Sequence, residues 1–220
     1  MKKILHPAFF IAALLMFGGC CVPRFLCDPE TGNVRYGGEI SYRISNYVGE
    51  DVNEDSKPVG NPGLGLFFNW IPCDECPLFG LRSGLRFDGY GSRLDYSGDG
   101  IEDKAKDRLS YLTLPFTFNY EVANNFRVEA GPDVSFLLNA KQIQTYQGEK
   151  TTLNGTEYYS KAQVGLNIGV SYVHQSGVEF FAGYNRGLNK LRSSDYDQKI
   201  FNSSFNIGAR YNINNLLSGK

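Results

Sequence analysis

Histidine is scarce in this sequence of 220 residues, and the scarcity limits the chemistry that the chain can support. Of the two histidines, His6 lies in the N-terminal apolar segment and His174 lies in a short predicted turn. A Ser-His-acid site needs a histidine between its nucleophile and its carboxylate. Neither His6 nor His174 lies in one of the long predicted loops, where such a site could form. We therefore predict no catalytic residue and expect that the protein is not an enzyme.

An excess of charge of either sign is also absent, because 22 Lys and Arg residues stand against 23 Asp and Glu residues. A net charge of −1 gives no electrostatic attraction for a phosphate backbone, so we predict no nucleic-acid partner. Segment 95–107 has Asp95, Ser97 and Asp99 at the spacing of a calcium loop, but its twelfth position is Lys106, which cannot act as the bidentate ligand. We predict no metal site and no cofactor.

Long apolar runs are confined to the N-terminus, where residues Ile4–Phe17 form a run of 14. This run is too short to cross a bilayer as a helix, and two lysines precede it, which is typical of a cleaved signal peptide over residues 1–19. The small residues before Cys20 are similar to a bacterial lipobox and suggest lipidation there; an ordinary signal with an incidental cysteine is the alternative. We expect residues 20–34 to form a short periplasmic segment.

Cys73 and Cys76 stand in the pattern CDEC between two predicted strands, directly before Pro77. A redox CxxC pair would normally open a helix, whose N-terminus lowers the thiol pKa, and no helical pattern follows here. Metal binding by two cysteines without a nearby histidine is also disfavoured. Because an exported chain can form disulfides, we predict a disulfide between these two residues.

Alternation of apolar and polar side chains is the dominant pattern of the remaining chain. In YLTLPFTFNYEVANNFRVEAGPDVSFLL, residues 111–138, the even positions are almost all apolar and the odd positions are mostly polar. A period of two is typical of strands with one apolar face, and a turn at 123–125 joins these two. The pattern recurs eight times within residues 35–213, ahead of a C-terminal tail at residues 214–220. Pro115 removes a ladder donor, so we expect a β-bulge there.

The connections between the eight predicted strands alternate between short and long. Those at 71–78, 123–125 and 174–177 are short. The long, polar connections are 45–63, 88–108, 139–157 and 185–200. Outer-membrane barrels have short periplasmic turns and long outer loops, whereas a Greek-key sandwich does not sort its loops in this way. The sequence therefore predicts an all-β, eight-stranded antiparallel up-and-down transmembrane β-barrel in contact with outer-membrane lipid, with both termini in the periplasm.

The two faces of the predicted strands differ in charge, and the apolar face has none. The opposite face carries eleven charged residues: Glu39, Arg43, Arg82, Arg86, Glu121, Arg127, Glu129, Asp133, Lys161, Glu179 and Arg210. Side chains just fill an eight-stranded barrel, and the small residues of the polar face fit that space, so we expect the apolar face to contact lipid. Charges in a narrow lumen must pair, and we interpret the eleven as an ion-pair network that plugs it. A small gated pore, in which Arg82 or Arg86 changes carboxylate partners, is the alternative.

The stretch Tyr111–Val122, with Pro115 inside a strand, and the following EAGPDVSFLL resemble the PorT-like outer-membrane β-barrel family of Bacteroidota. The resemblance covers residues 35–213 and implies insertion into the bacterial outer membrane. The last predicted strand also resembles the signal that the barrel-assembly machinery reads, through Asn206, Gly208, Tyr211 and Ile213. This resemblance implies that machinery as a partner during biogenesis.

These observations predict a non-enzymatic outer-membrane barrel that presents its long loops to a surface ligand or serves as an accessory of an envelope protein complex. Two other classes remain open from the sequence. One is a lipid-anchored soluble β-barrel that binds an apolar ligand, and the other is a membrane-embedded lipid hydrolase.

Overall fold

The structure of the protein is a computed structural model, which describes residues 33–53, 55–72, 78–98, 101–146, 149–193 and 198–213. The predicted signal peptide, Cys20, Cys73, Cys76 and the tail at 214–220 lie outside these residues, as does most of the predicted periplasmic segment. No helix within the described ranges is long and apolar enough to cross a membrane.

Nine antiparallel strands and one short 3₁₀ helix, Thr156–Tyr158, form the described part of the chain. In chain order the strands are β1 (Asn33–Gly49), β2 (Ser56–Ile71), β3 (Phe79–Gly98), β4 (Ile101–Ala123), β5 (Phe126–Tyr146), β6 (Glu149–Asn154), β7 (Ala162–Val173), β8 (Val178–Gly187) and β9 (Ile200–Asn212).

Eight of these strands close into a ring, in which β5 pairs with β7 and β9 pairs with β1. The ninth, β6, pairs with β5 outside the ring. The stagger of the ring can be measured by stepping from each residue to its aligned partner on the next strand. Starting from Val34 of β1, the residues reached are Trp70, Leu81, Phe118, Ala130, Ile168, Tyr184, Phe205 and finally Ile44 of β1. The path returns to β1 ten residues beyond its start, a stagger that goes with a strand tilt of about 40°. The predicted fold, an eight-stranded antiparallel barrel, is confirmed.

The outer surface of the ring is apolar over a continuous belt. Ile40, Leu64 and Phe205 are each more than 60% exposed. On β4 the outward positions are apolar from Leu112 to Val122, a length that spans about 26 Å at a rise of about 3.4 Å per residue and this tilt. That height matches the lipid-facing band of outer-membrane barrels, which is about 25 Å. The apolar face therefore points outward, and most of the buried residues inside the described part of the ring are polar or charged.

The two short connections within the described ranges, 123–125 and 174–177, are tight turns that lie where β1 begins and β9 ends. Asn125, in the turn between β4 and β5, has a φ of 67°, and Gly177, between β7 and β8, has a φ of 82°. Glycine adopts this left-handed backbone without strain, and asparagine is the side chain that tolerates it best. Aromatic side chains lie on the outer surface at the same end, including the Phe126 and Tyr172 rings, whose centroids are 4.8 Å apart.

The long connections differ from the prediction, because most of their residues are paired strand. β3 and β4 stay paired as far as Gly98 and Ile101, and β5 and β6 form a second hairpin whose last pair is Tyr146 with Glu149. These strands continue past the apolar belt, where water rather than lipid meets their outer face, so the outward positions are no longer apolar. We call these two extensions the outer hairpins: 88–110 and 139–154.

Two smaller predictions are also corrected. β1 begins at Asn33, two residues before the predicted barrel boundary, because Asn33 and Val34 already pair with β2. The bulge expected at Pro115 is absent: the pairing of β4 with β5 keeps one register from Tyr111 to Glu121. The register shifts instead between Ser110 and Tyr111, where the ladder leaves the belt.

Candidate functional site

The lumen contains a cluster of ion pairs toward the short-turn end, formed by Glu39, Arg82, Glu129, Glu179 and Arg210, which we call the lower cluster. Arg82 donates to Glu129 at 2.6 Å and to Glu179 at 2.9 Å. Arg210 donates from Nε to Glu39 at 2.9 Å, and its Nη1 lies 2.9 Å from both other carboxylates. These side chains are at most 10% exposed. Two guanidinium groups thus hold three carboxylates in a nearly dry interior.

Two phenylalanines on the otherwise polar inward face support these guanidinium groups. The Arg210 guanidinium carbon lies 3.9 Å from the centroid of the Phe181 ring, and that of Arg82 lies 5.3 Å from the centroid of Phe67. Such stacking adds a cation–π attraction and blocks the space beside the ion pairs. Both rings are buried, so they exclude water from one side of each guanidinium group.

A second group of charges lies nearer the middle of the barrel: Arg43, Arg86, Asp88 and Asp133, which we call the central cluster. The Asp88 carboxylate lies 3.2 Å from Arg43 and accepts a 2.6 Å hydrogen bond from Arg86 Nε. Asp133 accepts a short hydrogen bond from Asn185. Arg86 also lies 3.7 Å from Glu39, so the two clusters are in contact.

The structure brings ten of the eleven predicted lumen charges to the interior face of the ring and leaves one out. Lys161 is exposed and lies before β7, which begins at Ala162 rather than directly after the predicted long connection 139–157. Its assignment to the lumen network is therefore wrong. Glu121 and Arg127 pair with each other at 3.2 Å at the short-turn end, where they are partly exposed.

Asp88 is a buried lumen charge that the sequence does not predict. The predicted long connection 88–108 includes it, yet it lies inside β3 and is fully buried. Its position, two residues after Arg86 on the same inward parity, was the available signal. The alternating pattern of β3 ends at Phe87, because the outward positions beyond it are no longer apolar.

Above the central cluster, the lumen is closed by a cluster of aromatic and aliphatic side chains: Tyr47, Tyr90, Leu109, Tyr111, Ala140, Tyr159, Leu191 and Ile200. We call it the tyrosine cluster. The Tyr90 and Tyr111 rings meet edge to face with centroids 5.4 Å apart. Tyr90 also accepts a 2.6 Å hydrogen bond from Arg43, which joins this cluster to the ion pairs below. The outer end of the lumen is therefore apolar and filled.

Asp107 lies on the outer side of the tyrosine cluster and is buried there. Its Oδ2 accepts hydrogen bonds from the hydroxyls of Tyr159 at 2.6 Å and Tyr47 at 3.3 Å. Burial raises the pKa of both phenols above their ordinary value, and the nearby carboxylate adds to the rise because it repels a phenolate. Both tyrosines therefore stay neutral donors across the physiological range. No metal-binding group of three or more His, Cys, Asp and Glu occurs among the described residues.

Comparison with known proteins identifies one family. The family model described as an outer membrane protein beta-barrel domain matches residues 28–193. No curated protein matches the chain.

Several solved structures are similar in fold. Neisserial surface protein A (NspA) is 10% identical with a TM-score of 0.46, over 81% of this chain and 98% of that chain. Ail, the attachment invasion locus protein of Yersinia pestis, in complex with the heparin analogue sucrose octasulfate, is 11% identical with a TM-score of 0.45, over 82% and 99%. OprG, an outer membrane protein of Pseudomonas aeruginosa, is 14% identical with a TM-score of 0.40, over 83% and 96%.

Proposed function

Because this chain belongs to the family of outer membrane protein beta-barrel domains, we propose that it is a non-enzymatic barrel with a plugged lumen that holds binding hairpins outside the bacterial outer membrane. The observation that carries the proposal is the filling of the barrel, by paired charges toward the short-turn end and by the tyrosine cluster toward the opposite end. Such an interior serves as a rigid support for the strands that extend beyond it.

The charge balance of the lumen supports the plug. Carboxylates and guanidinium groups both face the described lumen: Glu39, Asp88, Glu121, Glu129, Asp133 and Glu179 with Arg43, Arg82, Arg86, Arg127 and Arg210. A cavity of about 10 Å³ lies beside Tyr111 and Asn185, and this is about the space of one water molecule. A hydrated ion needs a wider path, so the plug opposes conduction.

The two outer hairpins support a binding role. They continue beyond the apolar belt, where no lipid covers them, and they keep a paired backbone that loops of this length would lack. Strands that extend from a rigid scaffold are a common way to present a binding surface. The partner is a surface ligand or an envelope protein complex, and the function requires no cofactor and no nucleic acid.

The finer assignments belong to the same proposal. The chain is a PorT-like member of its family, and the barrel-assembly machinery inserts it with both termini in the periplasm. The common end shared by β1, β9 and the short turns supports that orientation. We propose lipidation at Cys20 and a disulfide between Cys73 and Cys76. Mass spectrometry of the mature N-terminus and non-reducing peptide mapping test these two modifications.

Conductance tests the plug. The refolded protein, added to a planar lipid bilayer, is expected to give no stable ion current under conditions in which a trimeric porin conducts. The same preparation is expected to release no fatty acid from phospholipid vesicles. A reproducible unitary current would favour the gated pore, and phospholipid turnover would favour the hydrolase; either result would overturn the proposal.

Epitope insertion tests which end is outside. An epitope at Thr151, in the exposed tip region of the β5–β6 hairpin, is expected to bind antibody on intact cells. The same epitope at Asn124, in a short turn, is expected to bind only after the outer membrane is opened. The reverse accessibility would place the outer hairpins in the periplasm and defeat their role at the surface.

A further inference from the structure

A cleft of about 240 Å³ opens on the outer side of the tyrosine cluster. Its walls come from four separate outer connections, which contribute Asp51, Ser92, Asp107, Gln142 and Arg192 among others. The floor is Tyr47, whose hydroxyl bonds to Asp107. We call it the outer cleft. Because it lies beyond the apolar belt, water and solutes reach it without crossing lipid.

The polar groups of the outer cleft are held in place before any ligand arrives. Asp107 Oδ2 is bound by two tyrosine hydroxyls, which fix the position of the carboxylate. The guanidinium carbon of Arg192 lies 4.5 Å from the centroid of the Tyr159 ring, and a β-bridge between these two residues fixes their backbones. The Arg192 Nε is buried without a hydrogen-bond partner among the described residues. A preorganised acceptor and donor of this kind favour a ligand with hydroxyl groups.

The composition of the walls narrows the ligand class. Asp51 and Asp107 contribute two negative charges and Arg192 contributes one positive charge, so a multiply anionic ligand is repelled. The lining also includes the Gln142 amide, the Ser92 hydroxyl and the apolar side chains of Leu94 and Ile200. A pyranose ring has a matching mixture, with hydroxyls at its edge and C–H groups on its faces.

We propose that the outer cleft binds the end of a saccharide, one or two sugar rings that are uncharged or carry an amino group. The proposal rests on the proposed function, because the cleft must face outside the cell for such a ligand to reach it. The Asp107 carboxylate accepts hydrogen bonds from sugar hydroxyls or from an amino group. Arg192 and Gln142 donate hydrogen bonds to oxygen atoms of the sugar ring. The tyrosine cluster provides the floor on which the ring lies.

The test uses the full-length barrel in lipid nanodiscs, titrated with N,N′-diacetylchitobiose, maltose and glucosamine, and with glucose 6-phosphate as the anionic probe. At least one of the first three is expected to bind saturably at one site per barrel, and glucose 6-phosphate at least tenfold more weakly. Asp107→Asn and Gln142→Ala are each expected to weaken binding at least tenfold. Arg108→Gln, on the exposed opposite face of the same strand as Asp107, is the matched control and is expected to leave it unchanged.

Several outcomes would overturn the proposal. They are the absence of saturable binding by all three sugars, tighter binding of the phosphorylated sugar, and binding that Gln142→Ala leaves intact. Gln142 is a partly exposed polar residue, so its variant keeps the test valid where Asp107→Asn fails to fold. The epitope at Thr151 separates the two proposals: outside exposure without sugar binding defeats only the saccharide site, whereas periplasmic exposure defeats the proposed function itself.

Discussion

Replacing Arg210 by methionine removes the centre of the lower cluster while keeping most of the side-chain volume. Arg210 is 6% exposed and contacts Glu39, Glu129 and Glu179 at 2.9 Å each. After the substitution, Arg82 is the remaining guanidinium within 3 Å of two of these carboxylates. At least one buried negative charge then loses its closest partner.

The expected loss of stability follows from this burial. Removing one partner of a buried ion pair costs about 3–5 kcal/mol, because the remaining charge stays desolvated. This corresponds to roughly a 150- to 4,000-fold change in the folding equilibrium constant. An exposed pair makes the contrast: Lys57 lies 2.8 Å from Asp95, and its side chain is 51% exposed. Lys57→Met is expected to cost less than about 1 kcal/mol.

Reversible urea unfolding in lipid vesicles measures both variants, with the mobility shift of the folded barrel in unheated gel samples as the readout. The double variant Arg210→Met/Glu39→Gln is expected to recover at least about 1 kcal/mol of the loss, since the carboxylate whose closest partner was Arg210 becomes neutral. The reasoning is refuted if Arg210→Met costs no more than Lys57→Met, or if the two lumen substitutions destabilise additively.

Three further predictions concern the belt, a close strand contact and the tyrosine cluster. Ile207→Arg, in the middle of the belt at 59% exposure, is expected to cost about 2–4 kcal/mol, whereas Leu153→Arg on β6, at 45% exposure, is expected to be nearly neutral in the same urea assay. Gly131→Ala is expected to cost about 1–3 kcal/mol of stability, because the added Cβ would clash with the Phe116 carbonyl oxygen. Gly38→Ala is the tolerated control, because its Cβ would lie 3.8 Å from the nearest atom, the Gly65 carbonyl oxygen. The pKa of Tyr47 is raised mainly by burial, so its contribution to stability is complete below its unfolded pKa of about 10 and is lost as the pH rises through the higher folded value. Urea midpoints between pH 8 and 12 are therefore expected to fall less steeply for Tyr47→Phe than for the parent protein; equal slopes would contradict the burial.

Much of the candidate site follows from parity within the belt. The lumen residues of the lower cluster all lie on strand positions opposite to apolar neighbours, and this is how Arg82, Glu129 and Arg210 were predicted to face inward. Which carboxylate each arginine meets was not predictable. Arg82 and Glu179 are 97 positions apart in the chain, and only the ring and its stagger bring them together.

The outer part of the site was predicted less well, for a physical reason. Tyr111 falls on the polar parity of β4 and Tyr90 falls in a predicted loop, yet both are buried in the tyrosine cluster. Beyond the belt, water meets the outside of the strands, so outward positions need not be apolar and alternation no longer reports a strand. The burial of Asp88 and Asp107 was not predicted for the same reason.

The sequence by itself determined the class of fold, the orientation of its two faces and the position of the short turns. Lipid on one side and packed polar groups on the other require a period of two in every strand, and this requirement acts on each segment locally. The tertiary structure decided the ring stagger, the ion-pair partners, the length of the outer hairpins and the outer cleft. These features depend on contacts between strands far apart in the chain, and no local pattern encodes the register that brings them into contact.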